Sequence, residues 1–173
     1  MRKHDVPADD TRRTASHLPG LFAGGGRACE YFFHILANPG DEISFWMAGK
    51  VLSDPHMPWE THLKSCLDEL YEPMTPTARD GLAQVFLEAE EAYMRYLPRD
   101  HCGTISLEPL ASNRPGPPIY LTERLSQSQR KAYGRRLESI KRDVGKLASV
   151  VAQTDKIRRI LRCIEGCQES MRQ

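Results

Sequence analysis

No apolar run in the chain approaches the ~20 residues that cross a bilayer, and the first residues hold no apolar signal core, so no membrane association is expected. Cytoplasmic residence is expected, with the nucleus as the alternative. Cysteine is sparse and odd in number: Cys29, Cys66, Cys102, Cys163 and Cys167 include no CxxC pair, which excludes a disulfide scaffold and points to reduced thiols. The sequence also lacks a nucleophile elbow, a His-Glu-x-x-His helix, a Glu-x-x-His pair and a Gly-Lys-Ser/Thr phosphate loop. An enzyme reading has no residue to stand on, so a non-catalytic protein without cofactor or metal is expected.

What is there suits one soluble, well-buried unit. The 173 residues are enough for a single core and short for two domains, and 40% hydrophobic with 27% charged residues argues against wholesale disorder. The net charge of +1 hides a division. Residues 1–113 carry 10 Lys and Arg against 17 Asp and Glu, whereas residues 114–173 carry 14 against 6. Such a split serves packing and solubility or steers two partners.

Residues 1–18 are polar and aperiodic and read as a mobile tail, followed by a helical domain over 19–125 and a basic helical extension over 126–173. Asn38-Pro39-Gly40 must turn the chain. Beyond it Asp41 is a candidate N-cap, and Ile43, Trp46, Met47 and Val51 are expected on one helical face. A β-hairpin across Asn38 to Asp41 is a rival, since Tyr31, Phe32, Phe33, Phe45 and Trp46 favour strands. Two firmer helices follow. One opens at Pro58 and Trp59 with Leu63, Leu67 and Leu70, and the next opens at Thr75 and Pro76 with Leu82, Val85, Phe86, Ala89, Tyr93 and Leu97. Five prolines between 98 and 118 then impose an extended crossing or a short β-hairpin over 101–121, leaving a mainly α fold of about 5–7 helices.

From Ser126 on, no proline appears. At about 100° per residue, Tyr133, Leu137, Ile140, Val144, Leu147 and Val151 share one line, a seam that packs on the domain or makes a homodimer. Ile157, Ile160, Leu161 and Ile164 fall off that line, which predicts a break near 153–155 with Thr154 or Asp155 capping a new helix. Opposite the seam, Lys131, Arg135, Arg142 and Lys146 form a basic ridge. It reads as a solvated outer face, or, in the second reading, as a binding face for nucleic-acid phosphates or another anion.

Other motifs have plainer readings. "AGGGRACE" could hold an anion on free N–H groups but is first a turn. His62 with Cys66 and Cys163 with Cys167 have helical i,i+4 spacing that could meet round zinc, yet isolated cysteines are ordinarily small buried groups, and no metal is expected. The Pro-x-x-Pro near Arg114 reads as linker, and Glu88, Glu90 and Glu91 as a solvated acidic face.

"CEYFFHILANPGDEISFWMAGKVL" resembles the stretch of the regulator-of-G-protein-signalling (RGS) family in which an aromatic helix runs through an acidic loop into a Phe-Trp-x-Ala helix, matched by Phe45, Trp46 and Ala48. "FLEAEEAYMRYLPRDH" is similar to the family's later Phe-x-x-Ala helix leading to an Asp, matched by Phe86, Ala89 and Asp100, so the likeness covers roughly residues 20–105. The resemblance implies an all-helical domain whose loops grip a protein partner, with Asn38, Asp41 and Glu42 as candidate contacts. Glu42 stands where the family has a contact Asn, and the segment for a second is missing. These departures suit a regulatory or adaptor module that binds something else, rather than an accelerator of GTP hydrolysis.

Overall fold

A computed structural model describes residues 18–26, 39–96 and 125–172. They form six helices: α1 over 18–23, α2 (Pro39–Ser53), α3 (Trp59–Tyr71), α4 (Pro76–Tyr96), α5 (Gln127–Leu147) and α6 (Thr154–Ser170). The fold is therefore mainly α, as the apolar spacing predicts, and no strand occurs among the described residues. Residues 1–17 of the tail, Asn38, the proline-rich crossing and Leu97 lie outside them, and Leu18, the last tail residue expected, opens α1. The rival hairpin across Asn38 to Asp41 is corrected, because helix runs from Pro39 to Ser53. Pro39 opens that helix because it has no N–H to leave unsatisfied in the first turn, so Asp41 is a first-turn residue and not the cap.

The helix ends follow local chemistry. Thr75 Oγ1 accepts the Ala78 N–H at 3.1 Å in front of α4. At α5, Ser126 Oγ accepts from Gln129 N at 3.3 Å while Gln129 Oε1 accepts from Ser126 N at 2.9 Å, a reciprocal capping box. α3 stops at Glu72, which takes the left-handed conformation (φ 50°) ahead of Pro73.

α5 ends at Leu147, earlier than its apolar line suggests. The link behind it pairs instead with the link behind α3: Met74 N–H donates to Val150 O (3.0 Å) and Ala152 N–H to Glu72 O (3.1 Å), around an isolated antiparallel bridge of Pro73 with Val151. Val151 is thus buried as a bridge residue, not a helical one. α6 follows Gln153 with no side-chain cap, so neither Thr154 nor Asp155 caps it. Periodicity sees that Val151 faces inward but cannot tell a helical turn from a tethered link that points the same way.

A single apolar cluster runs through α2 to α6. α4 and α5 share the longest contact, with α6 on the other flank of α5 and α3 between α2 and α4. α4 and α5 approach closely because Gly81 faces Leu147, whose Cδ2 would lie 3.1 Å from an added Cβ. The seam residues Tyr133, Leu137, Ile140, Val144, Leu147 and Val151 are all buried within this cluster. Residues 126–172 are accordingly a structural part of the core. The homodimer through that seam is corrected for the same reason: its side chains are spent inside the chain.

Candidate interaction surfaces

Of the three contacts that the RGS likeness suggests, Asn38 lies outside the described residues and Asp41 sits in the first turn of α2. Glu42 is committed internally. Its two carboxylate oxygens take Lys156 Nζ at 2.6 Å and Arg159 Nη2 at 3.1 Å, tying the first turn of α2 to α6 at a half-buried position. Lys156 Nζ also stands 5.7 Å over the ring of buried Tyr71, whose edge meets Phe86 at 5.7 Å. With both oxygens engaged, Glu42 fastens the fold and offers little to a partner.

The outward side of α2 carries a different candidate. Ile43, Met47 and Val51 fill the core, while Phe45, Trp46 and Leu52 are 37%, 37% and 45% exposed. On the wheel these three lie about 100–160° from the buried stripe, so the expected face of Ile43, Trp46, Met47 and Val51 loses its tryptophan to solvent. The sequence obscures this because five of the six residues 43–48 are apolar, leaving little contrast for periodicity to read.

α1 carries further exposed apolar groups. Phe22 meets His56 of the α2–α3 turn edge-on at 6.4 Å, with Leu21 and Met57 also exposed nearby in sequence. The glycines after α1 form a closed cap. Gly26 N–H donates to Leu21 O (2.9 Å), Gly25 N–H to Phe22 O (3.0 Å) and Gly24 N–H to Gly20 O (3.0 Å), with Gly25 left-handed at φ 92°. The three glycine donors of the "AGGGRACE" anion reading thus serve carbonyls, while residues 27–30 of that motif lie outside the described residues.

The four ridge cations are brought together as the wheel predicts. Lys131, Arg135, Arg142 and Lys146 are all exposed on the side of α5 opposite the seam. Ion pairs bind the rest of the surface: Lys50 to Glu69, Lys64 to Asp80 (2.9 Å), Arg79 to Asp68 (3.1 Å), Arg136 to Glu88 (3.3 Å) and Lys141 to Glu165 (2.9 Å). The hydrogen bond from Lys50 holds the Glu69 carboxyl below its ordinary range, and Lys64 does the same for Asp80. The expected solvated acidic face of Glu88, Glu90 and Glu91 is corrected: Glu90 is buried, since neighbours on a helix point about 100° apart.

The thiol sites are core positions. Cys66, Cys163 and Cys167 are buried thiols outside any disulfide, and burial pushes the Cys66 thiol up to about 12 and the Cys167 thiol well above its usual value. His62 Nε2 bonds the Asp54 carbonyl at 2.9 Å, and among the described residues no three His, Cys, Asp or Glu gather as a metal requires. A small, mostly apolar cavity of about 30 Å³ lies between Gly40, Val85, Tyr133 and Ile160, too small for an organic ligand. No described helix is long and apolar enough to cross a membrane.

No protein-family model matches this chain, and neither a curated protein nor a solved structure is similar to it.

Proposed function

We propose that this protein is a non-catalytic helical interaction module with a regulatory or adaptor role, and that a protein partner with an apolar surface docks on the outward face of α2. One observation carries the reading: Trp46 and Leu52 stand in solvent on a helix whose opposite side already fills the core. A tryptophan left 37% exposed wastes part of its apolar area in folding, whereas aromatic groups are enriched where protein surfaces meet. The RGS-like stretch supports the same place, because Phe45 and Trp46, which carry the likeness, both belong to the exposed set. Glu42, engaged by Lys156 and Arg159, is displaced from the contact set in favour of this face.

The test uses the full chain with Trp59→Phe, which leaves Trp46 as the sole tryptophan. Proteins captured from host extract are purified individually and titrated in. A bona fide partner blue-shifts the Trp46 emission saturably, and Leu52→Glu weakens it at least tenfold with an unchanged melting temperature. If every captured protein leaves the Trp46 emission unmoved, or if the shift tracks the concentration of the chain itself, the reading is wrong.

A further inference from the structure

A second surface, on another helix, calls for a different partner. α5 carries seven basic residues between Arg130 and Lys146, and the fold treats them unequally. Those at the flanks are neutralised: Arg136 by Glu88 of α4 and Lys141 by Glu165 of α6. Those on the outward line are not. Among the described residues Lys131 and Arg135 meet no carboxylate, and Arg142 reaches the Ser139 hydroxyl at 3.5 Å. Lys146 alone has a carboxylate, Asp143 one turn back, in a pair open to water. Glu138 lies on the same line and keeps its negative charge while accepting from the Gln168 amide of α6 at 2.8 Å, so the line is two cationic pairs on either side of one carboxylate.

The result is a cationic strip about 22 Å long, with two pairs of charges each one turn apart, on a helix held rigid by its buried seam. Its composition narrows the ligand. Among the described residues every exposed large hydrophobic precedes residue 75, so the strip has no apolar group to sink into a lipid surface and no aromatic to stack on unpaired bases. A convex rod of side-chain diameter about 10–12 Å, studded with cations, matches a duplex groove about 12 Å wide with phosphates along both rims. The acidic half is set by charge to face away. Residues 39–96 hold 4 Lys and Arg against 11 Asp and Glu, and residues 125–172 hold 12 against 5.

We infer that the outward face of α5 is a docking strip for the phosphate backbone of duplex nucleic acid, engaged without regard to base sequence through Lys131, Arg135, Arg142 and Lys146. This inference is independent of the α2 surface, and either can fail alone.

The experiment is fluorescence anisotropy of the full chain with a labelled mixed-sequence DNA duplex of 20 base pairs, from 50 to 200 mM KCl. Four phosphate contacts predict a log–log salt slope of about −3.6, or on the order of a hundredfold loss across that range. The combined Lys131→Gln, Arg135→Gln, Arg142→Gln and Lys146→Gln variant should lose binding at 50 mM salt while melting as the parent does. Arg158→Gln with Arg162→Gln, which removes two cations from α6, should stay within about threefold of the parent. Each single ridge change should flatten the slope by about 1. No duplex binding at 50 mM salt would overturn the inference, as would a quadruple variant that binds like the parent. Tighter binding to phosphatidylserine vesicles, to an acidic polypeptide such as polyglutamate, or to the single strand would each overturn it in favour of that ligand.

Discussion

α2 and α5 both bury one face in the same core, and they differ in what the other face shows. α5 follows the usual division, with Leu137, Ile140 and Val144 inside and Lys131, Arg135, Arg142 and Lys146 outside. α2 buries Ile43, Met47 and Val51 but presents Phe45, Trp46 and Leu52 to water. The contrast extends to their halves: every exposed large hydrophobic among the described residues lies before residue 75, in the acidic part, and none lies on the basic α5 and α6. A shared core with two chemically distinct exteriors is how one small chain can hold two unlike partners. The difference also sets what mutation should do, because inward residues report on folding and outward ones on binding.

The sharpest break of this comparison pairs Ile140→Ala with Trp46→Ala. Ile140 is 1% exposed in the middle of the seam, so its truncation should cost about 2–5 kcal/mol in urea unfolding. Trp46→Ala removes a larger side chain and should cost under about 1 kcal/mol. Comparable losses from the two would mean that the outer side of α2 is covered, and the comparison would collapse.

The legibility of these two helices in the sequence differed for a physical reason. Around Leu137 and Ile140 polar residues separate the apolar ones, so the seam, its burial and the ridge behind it are all readable from 3.6-residue spacing. In α2 the dense run from Ile43 to Ala48 blurs the period, and only the packing of Met47 against the core reveals that Trp46 faces out. Contacts between distant segments were not readable at all. The clamp of Lys156 and Arg159 on Glu42 spans well over a hundred residues, and the Pro73–Val151 bridge depends on two helix ends meeting. The left-handed cap at Gly25 was half legible: the glycines announce a turn, but not that Leu21 and Phe22 carbonyls absorb their N–H groups.

Alkaline pH should break both halves together. Cys66 of the acidic half and Cys167 of the basic half meet the same desolvated interior, which raises both thiols in the folded state. For groups with raised folded values, the associated stability is fully present below the unfolded value near 9 and is lost as pH climbs towards the folded value, about 12 for Cys66. Each thiol should withdraw stability as pH rises above the unfolded value, and Cys66→Ala should remove its share of that loss. Trp46 and Trp59 report only the acidic half, so coincidence of their emission change with the far-ultraviolet circular dichroism change would show one cooperative core. Separate transitions would divide it.

Glu42→Gln should cost about 1–2 kcal/mol, less than a fully buried pair because Lys156 and Arg159 keep some water, and the loss should shrink in 1 M salt. It loosens α2 from α6 without touching either outer face. Duplex binding by α5 should therefore stay within about twofold of the parent in the anisotropy titration.

The smallest effects give the finest version of the comparison, because two glycines occupy matching situations on the two outer faces. An added Cβ meets nothing within 4 Å at Gly49 of α2 or at Gly145 of α5. Alanine should stabilise either helix by about 0.5–1 kcal/mol through propensity alone, a rise that thermal melts resolve. Their binding consequences should diverge. Gly49 lies between Phe45 and Leu52 on the exposed line, so a methyl there should perturb partner titrations read at Trp46. Gly145 lies beside Lys146 at the edge of the cationic strip, where one methyl displaces no charge, and the salt slope for duplex should be unchanged. Equal gains in melting temperature with opposite patterns in the two titrations would tie each partner to its own helix, whereas a loss of Trp46 response from Gly145→Ala would show that the two faces are not separate.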